Sequence, residues 1–212
     1  MRYNQSDQFG QFHRIALLGG TFNPVHVGHI AMAKAVLKWN PALEQVVLMP
    51  NHIPAYKDEN AVADGEKRLH MLELAAKHLP KVSVSDMELK RDGYTYTVDT
   101  LTQIKKSNLG LQIVFVIGDD SLFQLSGWHE FEKLADLCEI LVVARDEEQE
   151  KIETYIHDFC TKHPAFSITY VEMPKVQVSS SEIRERLANH LTVTGMVPDE
   201  VLNYIEQQNL YR

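Results

Sequence analysis

Cysteine is nearly absent from this chain of 212 residues: Cys138 and Cys160 are the only two. Neither belongs to a CxxC pair or to a ligand-like spacing, so a disulfide scaffold and a zinc site are not expected. Basic residues are in the minority, 21 Lys and Arg against 29 Asp and Glu, for a formal net charge of -8. A large nucleic-acid footprint would need a basic stripe, and nucleic acid is therefore not expected as a partner. No apolar run approaches the roughly 20 residues that a membrane helix requires. Residues 1–13 are polar and lack the apolar core of a secretory signal. They read as a flexible extension, and a cytoplasmic protein with no membrane partner is the expectation. No internal repeat or low-complexity linker breaks the remainder, residues 14–212, which read as one domain.

What is present is enough apolar material for a core, 44% of the residues, distributed with a clear rhythm. Arg14 to Leu18, Gln45 to Met49, Lys81 to Val84, Gln112 to Ile117 and Glu139 to Ala144 are short β-branched or apolar runs that read as strands. Helical spacing intervenes at Ile30 to Trp39, at Glu66 to Leu79 (Leu69, Leu72, Ala76, Leu79), from about Val98 to Lys106, and around Phe131. Strand–helix alternation with near-continuous apolar strands predicts an α/β fold, a doubly wound Rossmann-like parallel sheet covered on both faces. Ser179-Ser180-Ser181-Glu182 is a capping-box pattern opening a helix, and Pro198 precedes another from Asp199 to about Gln208. Residues 179–212 thus read as a small helical C-terminal cap.

Ligands of such sheets bind beyond the carboxyl ends of the strands. Two of those ends are rich in glycine and polar groups: Leu18-Gly19-Gly20-Thr21 and Ile117-Gly118-Asp119-Asp120. The first continues as Phe22-Asn23-Pro24-Val25-His26-Val27-Gly28-His29 into a predicted helix. Glycines let a backbone turn sharply and approach a phosphate, and a helix start offers unpaired N–H groups and a positive dipole end. His26 and His29, three residues apart, can both donate to phosphate oxygens, with Gly28 expected to leave space for the ligand. A tight turn with two surface histidines, or half of a metal site, would be the plainer readings. The metal reading lacks a third ligand at sensible spacing.

This segment resembles the Gly-Thr-Phe-x-Pro-x-His-x-Gly-His signature of the nucleotidyltransferase α/β-phosphodiesterase superfamily. Val178-Ser179-Ser180-Ser181-Glu182-Ile183-Arg184 resembles its second mark, Ile-Ser-Ser-Thr-x-Ile-Arg, with Ser181 in place of threonine. Four further segments are similar to bacterial nicotinate-mononucleotide adenylyltransferases. They are Met49 to Pro54 with Lys57; Thr95-Tyr96-Thr97 with Asp99-Thr100-Leu101; Ile117 to Leu122 with Trp128; and Tyr204 to Arg212. The resemblance runs in order from Ile15 to Arg212.

That resemblance implies transfer of the adenylyl group of ATP to nicotinate mononucleotide, giving nicotinate adenine dinucleotide and pyrophosphate in NAD biosynthesis. It implies ATP-binding roles for Gly19, Gly20, Thr21, Phe22, His26, His29, Gly118, Asp119, Ser180, Ser181 and Arg184. The mononucleotide would meet Thr95, Tyr96, Thr97, Trp128 and Lys57, and His26, His29, Arg184 and Lys57 would carry catalysis. Independently, a Gly-Asp turn at a strand end can offer a carboxylate to ribose hydroxyls, and an indole can stack on an aromatic ring, although Trp128 serves equally well as core filler. Mg²⁺ is implied as the cofactor, held mainly by phosphates and water with no protein metal site.

Two positions depart from the family pattern. Asn23 stands where many relatives have Asp, and Ala55-Tyr56-Lys57 where Pro-His-Lys is common. The loop from His52 to Gly65 is polar and long, so Lys57 is expected to act on closure. Sibling adenylyltransferases acting on nicotinamide mononucleotide or phosphopantetheine share the core motifs. A fragment of a class I aminoacyl-tRNA synthetase and a non-catalytic nucleotide sensor are further alternatives. A homo-oligomer is compatible with the sequence.

Overall fold

Arg14–Gly20 (β2), Gln45–Pro50 (β3), Val82–Ser85 (β4), Gln112–Ile117 (β5) and Glu139–Ala144 (β6) are strands. Their apolar residues run without interruption because both faces of the sheet are covered. The computed structural model describes residues 2–3, 6–52, 62–144 and 149–212. Arg2–Tyr3 (β1) and Ile168–Glu172 (β7) complete a seven-stranded sheet in the order β1-β4-β3-β2-β5-β6-β7. Every pairing is parallel.

Successive residues of each strand feed opposite cores, as the pleat requires. Ala16, Leu18, Val46, Leu48, Val114 and Val116 point to one side. Ile15, Leu17, Val47, Met49, Ile113 and Phe115 point to the other. The first core is closed by Val27–Trp39 (α1), Gly65–Ala76 (α2), Ser180–Ala188 (α7) and Asp199–Gln207 (α8), through Val36, Leu72, Ile183 and Ile205. The C-terminal helices thus pack on the sheet itself, on the same side as α1 and α2. The second core is closed by Thr97–Ser107 (α3) and Gln149–Lys162 (α6), through Leu101, Ile104, Ile152 and Phe159. Between them lie the one-turn helices Asp119–Leu122 (α4) and Leu134–Leu137 (α5).

The helix ends follow local chemistry. Asn40, which precedes Pro41, is extended (φ -133°, ψ 94°) and stops α1 at Trp39. Asp64 caps α2 by accepting the Glu66 N–H at 2.9 Å, and Ser179 caps α7 by accepting from Glu182 N at 3.1 Å. Among the described residues no helix is long and apolar enough to cross a membrane.

Within the stretch 1–13, residues 6–11 are structured. Ser6–Gln11 forms a 3₁₀ helix, and Phe9 is fully buried in the second core. Phe12 packs against the same core, so two aromatic side chains dock this polar stretch. Phe9→Ala should therefore destabilise the fold by roughly 3–5 kcal/mol, read from urea midpoints. A change within about 0.5 kcal/mol, as at a surface position, would contradict the burial.

Candidate active site

The strand order reverses between β2 and β5, which lie side by side while their successors lie on opposite flanks. Both chains leaving this switch point run away from the sheet, and a crevice opens between them. A pocket of about 490 Å³ occupies it, within the usual range for small-molecule sites.

One group of its walls comes from the β2–α1 turn: Gly19, Gly20, Thr21, His26, Gly28 and His29. His26 is the residue before α1, extended at φ -142° and ψ 172°, and only 4% exposed. Its backbone N–H donates to His29 Nδ1 at 3.2 Å, which puts the proton of a neutral His29 ring on Nε2. The two imidazoles lie close, centroids 3.7 Å apart and planes tilted by 30°, and Phe22 meets His29 edge-on at 4.9 Å. Gly28 is closely approached by the histidine itself. A Cβ would stand 3.0 Å from the His26 ring and 3.3 Å from Val178, so the space it leaves is taken by protein as well as facing the pocket. Phe22 holds φ at +49°, a left-handed conformation costly for an aromatic residue and kept where the surroundings enforce it.

A second group comes from the β4–α3 connection and beyond. Thr95, Tyr96 and Thr97 line the same pocket, with Trp128 and His129. Thr95 Oγ1 accepts the His52 N–H at 3.3 Å. Trp128 stands edge-on to Phe115 at 6.1 Å, and Tyr96 packs on His129 at 4.4 Å. The indole is thus both partly packed and part of the pocket wall. From β5 come Gly118, Asp120 and Ser121.

Not every expected residue reaches this cavity. Asp119 is absent from its walls while the neighbouring Asp120 is among them. The phase of the one-turn helix α4 decides which of the two faces in, and Asp119 is instead an electrostatic neighbour of Tyr170 on β7. Phe22, Ser180, Ser181 and Arg184 also lie outside the walls. The three α7 residues instead bond to the β2–α1 turn or to one another: Arg184 donates to the Asn23 carbonyl at 2.8 Å and to Ser181 Oγ at 3.3 Å, and Ser180 Oγ donates to the Pro24 carbonyl at 2.9 Å. Lys57 and Tyr56 lie outside the described residues.

Glu88 lines the pocket and carried no signal in the sequence reading, where it sits in a charged run that resembles a solvated face. It is 8% exposed, and burial pushes its carboxyl up to about 7 against the pull of Thr100 and Arg91. Arg91 donates to Thr100 Oγ1 at 2.9 Å, and Thr100 Oγ1 donates to Glu88 at 2.6 Å. A raised folded pKa favours the neutral acid, so its stabilisation is full below about 4.5 and is lost as pH rises through about 7. Glu88→Gln keeps the acceptor for Thr100 and removes the titration. It should gain on the wild type between pH 5 and pH 8 by an amount of order 3 kcal/mol. Equal differences in urea midpoint at the two pH values would exclude this origin.

A family model described as cytidylyltransferase-like matches residues 17–186. The chain belongs to the cytidylyltransferase-like family. Proteins named "Probable nicotinate-nucleotide adenylyltransferase" from Carboxydothermus hydrogenoformans and Serratia proteamaculans are among its relatives. The first is 35% identical over 199 residues, covering 94% of this chain and 98% of the relative. The second is 36% identical over 210 residues, covering 93% and 94%. The motif resemblance is borne out by these relatives. Among solved structures, the Plasmodium falciparum nicotinic acid mononucleotide adenylyltransferase complexed with NaAD superposes with a TM-score of 0.75 at 20% identity, covering 93% of this chain and 97% of that one. The same enzyme complexed with APC gives 0.73 at 19%, covering 93% and 96%. At those identities the likeness is one of fold, and it bears out the Rossmann-like α/β sheet.

Proposed function

We propose that the protein transfers the adenylyl group of ATP to nicotinate mononucleotide, releasing pyrophosphate and forming nicotinate adenine dinucleotide. The observation that supports this most is the shared pocket. The phosphate-binding turn with His26 and His29 and the Thr95–Thr97 segment with Trp128 face one cavity at the switch point of the sheet. An oxygen of the mononucleotide phosphate forms the new bond to the α-phosphorus of ATP, the bond from that phosphorus to the bridging oxygen breaks, and pyrophosphate leaves. A phosphate nucleophile is already ionised near neutrality, so the site needs no general base. Its tasks are alignment and charge stabilisation.

In this reading Gly19, Gly20 and Thr21 meet phosphate through their backbones, and His26 and His29 donate to its oxygens. Gly118 approaches the adenosine ribose, with Asp120 the carboxylate placed to join it. Arg184, bonded to the Asn23 carbonyl and to Ser181 Oγ, holds from α7 the turn that meets the triphosphate, and Lys57 adds a cation. Thr97 and Trp128 receive the pyridine ring. Among the described residues no group of three or more His, Cys, Asp or Glu is gathered for a metal, and the turn offers imidazoles and main-chain groups. That donor set suits an Mg²⁺ ion carried on the phosphates, where it would neutralise charge on the leaving pyrophosphate.

The test is incubation with Mg-ATP and, separately, nicotinate mononucleotide, nicotinamide mononucleotide and phosphopantetheine, with pyrophosphate measured. Release with the nicotinate form above the other two is expected. Tight ATP binding without release in any arm would make the protein a nucleotide sensor instead.

A further inference from the structure

Arg68 is the one charged side chain among the largest fully buried ones, at 1% exposure. It lies on α2 in a Glu66-Lys67-Arg68 run that reads as solvent-facing. Burial lowers its pKa from the usual guanidinium value, while Tyr211 and Asp64 nearby offset part of that cost. No carboxylate lies within ion-pair reach of it among the described residues. It donates to three main-chain carbonyls from three separate segments. The Nη1 group donates to Thr21 O at 2.9 Å, Nε to Ala63 O at 2.8 Å and Nη2 to His52 O at 3.2 Å.

Those three carbonyls matter by position. Thr21 belongs to the phosphate-binding turn, and His52 and Ala63 flank residues 53–61, the stretch that contains Lys57. Ala63 is also held from its other side, its N–H donating to Asn23 Oδ1 at 3.0 Å. The same oxygen accepts the Tyr211 hydroxyl at 2.9 Å, from a residue held at φ +64°. A buried cation bonded, among the described residues, to neutral carbonyls and with Asp64 only nearby is costly, and a hydrophobic residue would fill the volume more cheaply. What the guanidinium supplies is a rigid planar fork that fixes three chain segments at once.

We propose that Arg68 is a positioning residue for adenylyl transfer, holding the phosphate-binding turn at Thr21 in register with both flanks of the 53–61 stretch. The proposal rests on the catalytic reading above. Arg68 touches no substrate in this scheme; it sets where the groups that do so stand. Misplacing such groups by about 1 Å is enough to cost ~10²-fold in rate.

The experiment compares wild type, Arg68→Lys and Arg68→Met, each assayed below its own melting midpoint and corrected for folded fraction. Arg68→Met should lower kcat by ~10²-fold and Arg68→Lys by about tenfold, since the cation is kept but the fork is lost. KM for ATP should rise in both, while Kd for nicotinate mononucleotide alone stays within about twofold. A purely structural role would lower the melting midpoint and leave kcat per folded molecule unchanged, and that result in either variant overturns the proposal. Hydrogen exchange on the wild-type protein tests it without any substitution. A non-hydrolysable ATP analogue should slow exchange at the amides of residues 63 and 66, and unchanged exchange there overturns the proposal as well. A wild type that releases no pyrophosphate with any mononucleotide would fault the catalytic reading, whereas an active wild type with an unaltered Arg68→Lys faults this inference alone.

Discussion

Replacing His29 with alanine is expected to lower turnover by ~10²–10³ while the fold survives, the usual loss for one transition-state donor. His29 is half-buried on the pocket wall, with its Nδ1 accepting the His26 N–H. That bond leaves Nε2–H as the donor a phosphate oxygen would meet, and no rotation is needed at the moment of reaction. The substitution also removes the acceptor of the His26 N–H, at a stability cost of about 1 kcal/mol. The measurement is kcat and the thermal midpoint on the same preparation. A folded variant with near-wild-type turnover would remove the phosphate site from this turn.

The second large effect concerns the choice of mononucleotide: kcat/KM for the nicotinate form should exceed that for the nicotinamide form by ~10²–10³. The ligands differ in one group, a carboxylate against a carboxamide. Main-chain N–H donors near Thr97 and the Trp128 segment bond more strongly to a charged acceptor. The amide would set its own NH₂ against those donors and leave polar groups unpaired, so the two terms together are of order 3–5 kcal/mol. Two acidic residues oppose this, since Asp120 and Glu88 both line the cavity. Glu88, with its carboxyl pushed up to about 7, is mostly neutral below that pH, so the preference should widen as pH falls. Both forms carry the same 5′-phosphate, whose own titration cancels in the ratio. Equal values for the two substrates would remove the nicotinate label and leave the adenylyl-transfer core standing.

Where the sequence was legible, one physical signal dominated locally. The strands β2, β3, β5 and β6 are unbroken apolar runs, which burial on both faces demands. The turn from Gly19 to His29 concentrates residue types that few other structures need at that spacing. Elsewhere the deciding contact is distant. Phe9 stands in an otherwise mostly polar stretch, and only the completed second core shows why it is buried. Helix α6 carries Ile152, Tyr155, Ile156 and Phe159 at helical spacing, a signal present but not singled out. Strand β7 is edge material with half-buried side chains, so its pattern is weak. Glu88 and Arg68 each stand among other charges, and a chain read linearly cannot tell a buried member of such a run from a solvated one. The choice between Asp119 and Asp120 turned on the phase of one helical turn.

Bonds that brace the β2–α1 turn come from residues 63, 68, 180, 184 and 211, and the Met196 carbonyl receives the Val27 N–H at 3.0 Å. None of these belongs to the central strands, so the turn is expected to loosen before the sheet does. A transient opening that frees α8 and Tyr211 would remove one donor to Asn23 Oδ1 in the turn while β2 and β5 remain paired. Sub-global openings of this kind cost less than global unfolding. Under mild denaturant, activity should therefore fade at concentrations where the sheet's circular dichroism is still intact. During refolding it should return last, because closing contacts between residues 23 and 211 carries the largest loop entropy in the site.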